Sequence, residues 1–292
     1  MKKVLITGSG SYIGTAFEKW LHGSSGCGEK YDIRTVDMQD DSWKQKSFAG
    51  YDTVFHVAGI AHVSSDPKLK DLYFKVNRDL AVNTAFKARN EGARQFIFMS
   101  SIIVYGDPGR NGKVIGPGTM PEPSNFYGES KFEAENGIRK LESNVFKVVI
   151  LRPPMIYGIG CRGNYPRLAK LALKVPFFPD HDNRRSMLHI DNLCEFIRLM
   201  IEYNESGVFY PQNAEYVRTS DLVKVIAETH GKKIRMTRIM EPLIRLAGGK
   251  GIVGKVFGDL VYELDMSRYE KADYRVRNFA ESIRLTEIGD II

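Results

Sequence analysis

Cysteine is scarce in this chain: there are three, Cys27, Cys161 and Cys194, and none forms a C-x-x-C pair. That excludes a disulfide framework and the usual zinc spacings, and suits a reduced, cytoplasmic protein. Long apolar runs are also missing; nowhere do 18 uncharged apolar residues follow one another, so no membrane insertion is expected. The opening "MKKVLITG" goes straight into a short strand-like run, without the apolar length or small-residue cleavage site of a signal peptide. No internal repeat and no low-complexity tract is visible. Positive charge is in excess, at a formal net +7. The lysines and arginines are scattered, however, and no aromatic–basic motif of the RNA-binding type occurs, so no nucleic-acid partner is expected. What remains is a 292-residue chain with 43% hydrophobic and 26% charged residues, the balance of a soluble globular enzyme.

Apolar strands alternate with helices through the first half. "KKVLIT", "YDIRTVDM", "DTVFHVAG", "QFIFMSSIIVYG" and "FKVVILRPPMIYG" read as strands. "YIGTAFEKWLHG", "DLYFKVNRDLAVNTAFKARNEG" and "NFYGESKFEAENGIRKLES" read as helices. The pattern predicts an α/β fold with a doubly wound parallel sheet. After about residue 160 it loosens into short helices and Pro/Gly-punctuated loops, a smaller C-terminal lobe interleaved with the last sheet elements. Only 40 residues, 15 through 54, separate Gly14 from Phe55. That is short for a helix–strand–helix–strand passage, so one element of the usual set is expected to be missing.

The stretch "ITGSGSYIG" lies between a strand and a helix, where a phosphate-binding turn belongs. Gly8 suits a tight turn, Gly14 close helix packing, and the backbone N–H groups of the stretch can face a pyrophosphate. Its glycines at 8, 10 and 14 match neither common spacing. In "YGESK", Tyr127 and Lys131 stand four apart and share one helix face. An ammonium beside a phenol favours the phenolate, which would lower the tyrosine pKa and equip it for acid/base work. Ser100 and Ser101 end a strand, where ligands bind in this architecture.

Together these stretches resemble the extended short-chain dehydrogenase/reductases, the nucleotide-sugar epimerases, dehydratases and reductases. The resemblance rests on eight segments in the family's order: "TGSGSYIG", "FHVAG", "KVNRDL", "SSIIVYG", "FYGESK", "LRPPMIYG", "GNYPRL" and "RRSMLHIDNL". It implies a Rossmann-type dinucleotide-binding domain over residues 1–160 and a substrate-binding lobe over 161–292. It implies Ser101, Tyr127 and Lys131 as catalytic residues, with Tyr127 as acid/base and Lys131 also holding the cofactor ribose. The dinucleotide is expected on Gly8, Gly10, Ser11, Tyr12, Ile13 and Gly14. Ala58 and Gly59 are expected beneath it, and Asn77 as support from the long helix.

Ser11 departs from the family's glycine, and its hydroxyl is expected near a phosphate. Asp37 is placed like the carboxylate that holds an NAD ribose and repels a 2′-phosphate, so NAD(H) is favoured; the short segment after it leaves NADP(H) open. Asn164 and Arg185 are expected to hold the diphosphate of a UDP-sugar, guanidinium offering phosphate a planar fork. His189 and His56 are expected to be structural, His62 and His181 to be loop residues. The 4,6-dehydratases carry an Asp-Glu pair just after the catalytic Ser/Thr; here Ile102 and Ile103 stand there, and neither can move a proton. The expected activity is therefore reduction of a UDP-4-keto sugar, with a 4-epimerase holding its NAD as the alternative. A non-catalytic dinucleotide sensor is the alternative from another class, and the intact Ser101, Tyr127 and Lys131 argue against it. The apolar and basic stretch from Ile234 to Tyr262 can be read as a membrane-surface face or, equally, as a lid or core of the lobe. The resemblance also implies a homodimer paired through the two long helices.

Overall fold

The computed structural model describes residues 1–23, 30–61, 66–107, 112–247 and 251–289; Cys27 and His62 lie outside them. The chain divides into two compact units. Unit 1 comprises residues 1–106, 121–153 and 193–210, and unit 2 residues 107–120, 154–192 and 211–292.

Unit 1 is built on a six-stranded, all-parallel sheet. Its first four strands in the chain are β1 (Lys2–Thr7), β2 (Tyr31–Val36), β3 (Thr53–His56) and β4 (Gln95–Met99). Across the sheet the order is Gly207–Phe209, Lys147–Leu151, β4, β3, β1, β2. The strands are near-continuous apolar runs because both faces are covered by helices: Val4, Ile6, Val54, Phe55, Phe96, Phe98, Val148 and Ile150 are all buried. The strand order reverses between β1 and β3. Beyond the carboxyl ends of those strands lies the crevice in which open α/β sheets bind ligands.

The short passage noted above has a structural counterpart. From β2 the chain reaches β3 through a single 3-10 turn, Asp41–Gln45. β2 is therefore the sheet edge, where the common dinucleotide-binding order carries one strand more.

Helix α1 (Tyr12–Gly23) follows β1 and seats Phe17 edge-on against Phe55, with ring centroids 5.5 Å apart. The long helical stretch comes in three pieces: α2 (Lys70–Tyr73), a π turn (Phe74–Asp79) and α3 (Leu80–Asn90). Helix α4 (Phe126–Arg139) packs along it.

Two predicted strands end early. "QFIFMSSIIVYG" is strand only to Met99 and then winds into a 3-10 turn, Ile102–Tyr105. "FKVVILRPPMIYG" breaks at Pro153–Pro154, which lack the N–H a ladder needs. Its second part, Met155–Tyr157, pairs instead with Met187–His189 in unit 2.

Unit 2 has its own core. α5 (Asn164–Lys174) packs on the helix Thr219–Thr229, and Tyr157 stacks on Tyr165 with centroids 5.2 Å apart. No helix among the described residues is long and apolar enough to cross a membrane.

Candidate active site

The turn after β1 is tied to the end of β2. The N–H groups of Gly8 and Ser9 donate to the Val36 carbonyl at 2.8 and 3.1 Å. Gly8 has φ +114°, and a Cβ there would lie 2.8 Å from the backbone nitrogen of Ala58. Both the conformation and the approach require glycine. At Gly10 a Cβ would meet nothing within 4 Å, so the turn has an open side there.

Ser11 Oγ accepts from the Gly14 N–H at 3.3 Å, which makes the serine the cap of α1. A hydroxyl that accepts keeps its own hydrogen to donate. Tyr12 and Ile13 form the first turn of α1, the helix end that offers N–H groups and a positive dipole to an anion. Asp37 is exposed one residue beyond β2, and its Oδ1 accepts from the Gln39 N–H at 2.9 Å. Asp40, in the same acidic stretch, caps the 3-10 turn through the Ser42 N–H.

The loop after β3 meets the long helix at Asn77, which sits on the π turn and is buried. Its Oδ1 accepts from the Ile60 N–H at 2.9 Å, and its Nδ2 donates to the Ile60 carbonyl at 3.0 Å and to Ser130 Oγ at 3.2 Å. Ser130 in turn donates to the Tyr127 carbonyl. Asn77 thus joins the Ala58–Ile60 loop to the helix that carries Tyr127 and Lys131. A Cβ on Gly59 would come within 3.0 Å of Asn77 Oδ1 and 3.2 Å of Lys131 Nζ, so glycine leaves a cradle beside the lysine. Beneath it His56 bonds Thr7 Oγ1 at 2.7 Å and stacks near Phe96 and Phe98. Burial, aided by the charge of Lys131, pushes this imidazole down to about 3, so it is neutral.

Ser101, two residues beyond β4, caps the 3-10 turn by accepting from the Ile103 N–H at 3.3 Å. The first turn of α4 rests on that 3-10 turn, because a Cβ on Gly128 would lie 2.7 Å from the Ile103 carbonyl oxygen. Asn125 caps α4 through the Gly128 N–H at 3.0 Å. This close approach sets Tyr127 beside Ser101, and their hydroxyls are hydrogen-bonded.

Lys131 is 5% exposed; its Nζ donates to the Met99 carbonyl at 2.9 Å and stands 4.8 Å from the Phe98 ring centroid. Burial lowers its pKa to about 8, while Glu135 pulls it upward. For Tyr127 the expectation is reversed. Burial raises it to about 12, against a lowering by the Ser101 hydrogen bond, with Tyr73 raising it further. The physical reason is that the ammonium is engaged with a carbonyl, and desolvation of the phenol dominates. Tyr127 therefore holds its proton at neutral pH.

A second group at this place carries no signature in the sequence. Ser100, the neighbour of Ser101, turns inward and donates to Glu135. Arg152 Nε donates to both Glu135 oxygens at 3.0 and 3.2 Å, and its Nη1 donates to Tyr105 at 2.7 Å. Glu135 is fully buried and Arg152 4% exposed. The only available hints were a glutamate one helical turn after Lys131 and an arginine at a strand end. Ile102 is buried on the same 3-10 turn, with Ile103 beside it. No proton-transferring side chain therefore stands at either position.

Asn164 and Arg185 belong to unit 2. Asn164 opens α5 and is exposed, directly after Gly163 at φ +97°. Arg185 pairs its backbone with Val217 and donates from Nη1 to the Gly258 carbonyl at 2.9 Å. It forms no ion pair among the described residues; burial lowers its pKa, and Asp259 and Asp107 only partly oppose that. Arg184, by contrast, is exposed and lies 3.8 Å from Asp259. His189 accepts from the Asp191 N–H and lies edge-on to Tyr157; burial pushes it down to about 4, so it is a neutral structural histidine. His181 sits in a loop and bonds Glu241 at 2.7 Å. No group of three potential metal ligands occurs among the described residues.

Residues 4–210 match the NAD dependent epimerase/dehydratase family. A UDP-glucose 4-epimerase of Vibrio cholerae is 31% identical over 250 residues, covering 77% of this chain and 75% of that protein. The fold is similar to the Thermus thermophilus UDP-glucose 4-epimerase in complex with NAD, at TM-score 0.75, 19% identity and 98% coverage of both chains. It is likewise similar to the Bacillus anthracis dTDP-4-dehydrorhamnose reductase in complex with NADP, at TM-score 0.72, 18% identity and 98% coverage of both chains.

Proposed function

The chain belongs to the NAD dependent epimerase/dehydratase family, and from that premise we infer that it reduces C4 of a UDP-4-keto sugar with NAD(P)H. The observation that carries this reading is that Tyr127 stands beside Ser101 and one helical turn before Lys131. A reductase needs a proton donor at the reacting oxygen, and the Tyr127 phenol beside Ser101 supplies it.

When bound, the reduced nicotinamide supplies the hydride that C4 receives. Tyr127 gives its proton to the C4 oxygen, and Ser101 orients that oxygen. Lys131 holds the nicotinamide ribose in the cradle that Gly59 leaves open. The residues suit a dinucleotide: the turn at Gly8 and Gly10, the capped helix start at Ser11, Tyr12, Ile13 and Gly14, and Ala58 close beneath Gly8. Asp37 at the end of β2 favours NAD(H), because its carboxylate binds a free ribose hydroxyl and repels a 2′-phosphate.

Asn164 and Arg185 are assigned to the substrate diphosphate. A part-buried guanidinium with no ion pair among the described residues suits an anion, and phosphate offers the paired oxygens it lacks. A homodimer through α3 and α4 is part of the same reading, supported by Phe86, which is 53% exposed on α3. Cytoplasmic location suits the free thiols of Cys161 and Cys194.

A second reading, a UDP-sugar 4-epimerase, is favoured by the Vibrio cholerae relative. It requires a cofactor retained through the cycle. The single turn between β2 and β3 leaves little wall beside Asp37 and supports the exchangeable cofactor of a reductase.

The deciding experiment is to purify the protein without added cofactor, denature it and assay the supernatant for NAD(H). An empty protein that oxidises NADH or NADPH with a UDP-4-keto sugar establishes the reductase. Near-stoichiometric NAD, with interconversion of UDP-glucose or UDP-N-acetylglucosamine and their C4 epimers, establishes the epimerase instead.

A further inference from the structure

Glu135 lies one turn after Lys131 on α4, fully buried, in a chain whose other carboxylates are mostly at the surface. Its two oxygens receive Ser100 from the end of β4 and Arg152 from the end of the strand Lys147–Leu151. Arg152 extends the link to Tyr105 at the end of the 3-10 turn. Three backbone segments are thereby held to one carboxylate of α4. One of them, the β4 end, leads into Ser101, and α4 itself carries Tyr127 and Lys131.

The surroundings of Lys131 sharpen the point. From β3 it faces His56, which is neutral. From the π turn it faces Asn77, reached by way of Gly59. From β4 it faces Phe98 and the Met99 carbonyl. On its own helix stand Tyr127 and Glu135. Glu135 is the one of these groups that favours the ammonium. Arg152 is bonded to both oxygens of the same carboxylate, so the buried Glu135 is paired.

We propose that Glu135 is a positioning residue for this site: its carboxylate locks the Ser101 strand end onto the Tyr127–Lys131 helix and is the counter-charge that keeps Lys131 cationic. The cofactor half of this inference rests on the dinucleotide reading above, but not on any particular sugar. No carboxylate need touch cofactor or substrate for it to hold.

The test reads NAD(P)H binding by fluorescence from pH 6 to 10 in the wild type, Glu135→Gln and Ser100→Ala. Burial holds His56 at about 3, Lys131 at about 8 and Tyr127 at about 12, so Lys131 is the group of this pocket that titrates in the range. Wild-type affinity should fall as pH rises through about 8. In Glu135→Gln that limb should move down by about one pH unit, because a nearby opposite charge is lost. Ser100→Ala keeps the charge, so its limb should stay in place while kcat drops several-fold at unchanged KM.

A folded Glu135→Gln protein whose limb coincides with the wild type overturns the proposal. If that variant does not fold, Glu135→Gln with Arg152→Gln leaves no unpaired buried cation and should show the same shift. An unshifted limb in the double variant, or loss of fold in both, makes the residue structural only and also overturns the proposal. A wild type that binds NAD(P)H with a limb near pH 8 but turns over no UDP-sugar counts against the proposed reaction alone. One that binds no dinucleotide overturns both.

Discussion

Arg152 in unit 1 and Arg185 in unit 2 are furnished in opposite ways. Arg152 is surrounded by acceptors: both oxygens of Glu135 and the Tyr105 hydroxyl. Its guanidinium is held above the ordinary range by Glu135 despite burial. Among the described residues Arg185 has one side-chain bond, to the Gly258 carbonyl, and burial lowers its pKa. The same side chain is buried and paired with a carboxylate in one place, and partly exposed without an ion pair among the described residues in the other. A buried charge bonded to a carboxylate from a distant segment holds a fold together. A partly exposed guanidinium with donors to spare is free to take an anion. The contrast therefore says more about what each arginine can do than residue type does.

The largest expected effect belongs to neither arginine. Tyr127→Phe should lower turnover by roughly 10²- to 10⁴-fold while leaving NAD(P)H affinity nearly unchanged; full activity in that variant would remove the assigned proton donor. Next, Arg152→Ala should cost about 3–5 kcal/mol in urea unfolding, because it strands the buried Glu135 charge.

Arg185→Ala should behave differently. It should leave stability within about 1 kcal/mol, since no partner charge is stranded, and raise KM for the UDP-sugar by roughly 10- to 100-fold. Equal destabilisation by the two alanine variants, or a kcat loss at constant KM for Arg185→Ala, would break the comparison.

A smaller effect comes with acid. His56 and His189 are held at about 3 and about 4 by burial, below the ordinary value of about 6.5. Their folded pKa values are depressed, so the neutral rings contribute fully above pH ~6.5, and that contribution is lost as pH falls toward the folded values. Tm should decline steeply below pH ~6.5, and His56→Asn should flatten the decline. A Tm independent of pH between the ordinary and folded values would contradict the burial argument. The smallest expected change is in cofactor choice: Asp37→Ser should shift preference several-fold toward NADPH by removing a charge at the edge of the site. Titrations of both cofactors would read it, and an unaltered ratio would take Asp37 out of the adenosine site.

Much of this was legible in the sequence where chemistry and spacing coincide. The strand–turn–helix at Ile6–Gly14, the four-residue step from Tyr127 to Lys131 and the short passage to Phe55 each report local geometry. Local geometry is what spacing encodes. The readings that changed all depended on a neighbour distant in the chain. Two adjacent serines look alike in "MSSII", yet Ser100 bonds Glu135 and Ser101 bonds Tyr127, because successive residues point to opposite sides of an extended chain. Ser11, expected near a phosphate, has a second, local role as the cap of α1, and its own hydrogen is left to donate.

The sequence by itself determined the parallel alternation of strands and helices, the glycine turn after β1, and the presence of a serine, a tyrosine and a lysine in the order this family uses. Those follow from residue type and period, which the chain carries locally. Only the tertiary structure decided the protonation of Tyr127, the partner of each serine, and which arginine is saturated and which is not. Each of these depends on how much water burial removes and on which group, tens of residues away, stands within hydrogen-bond reach.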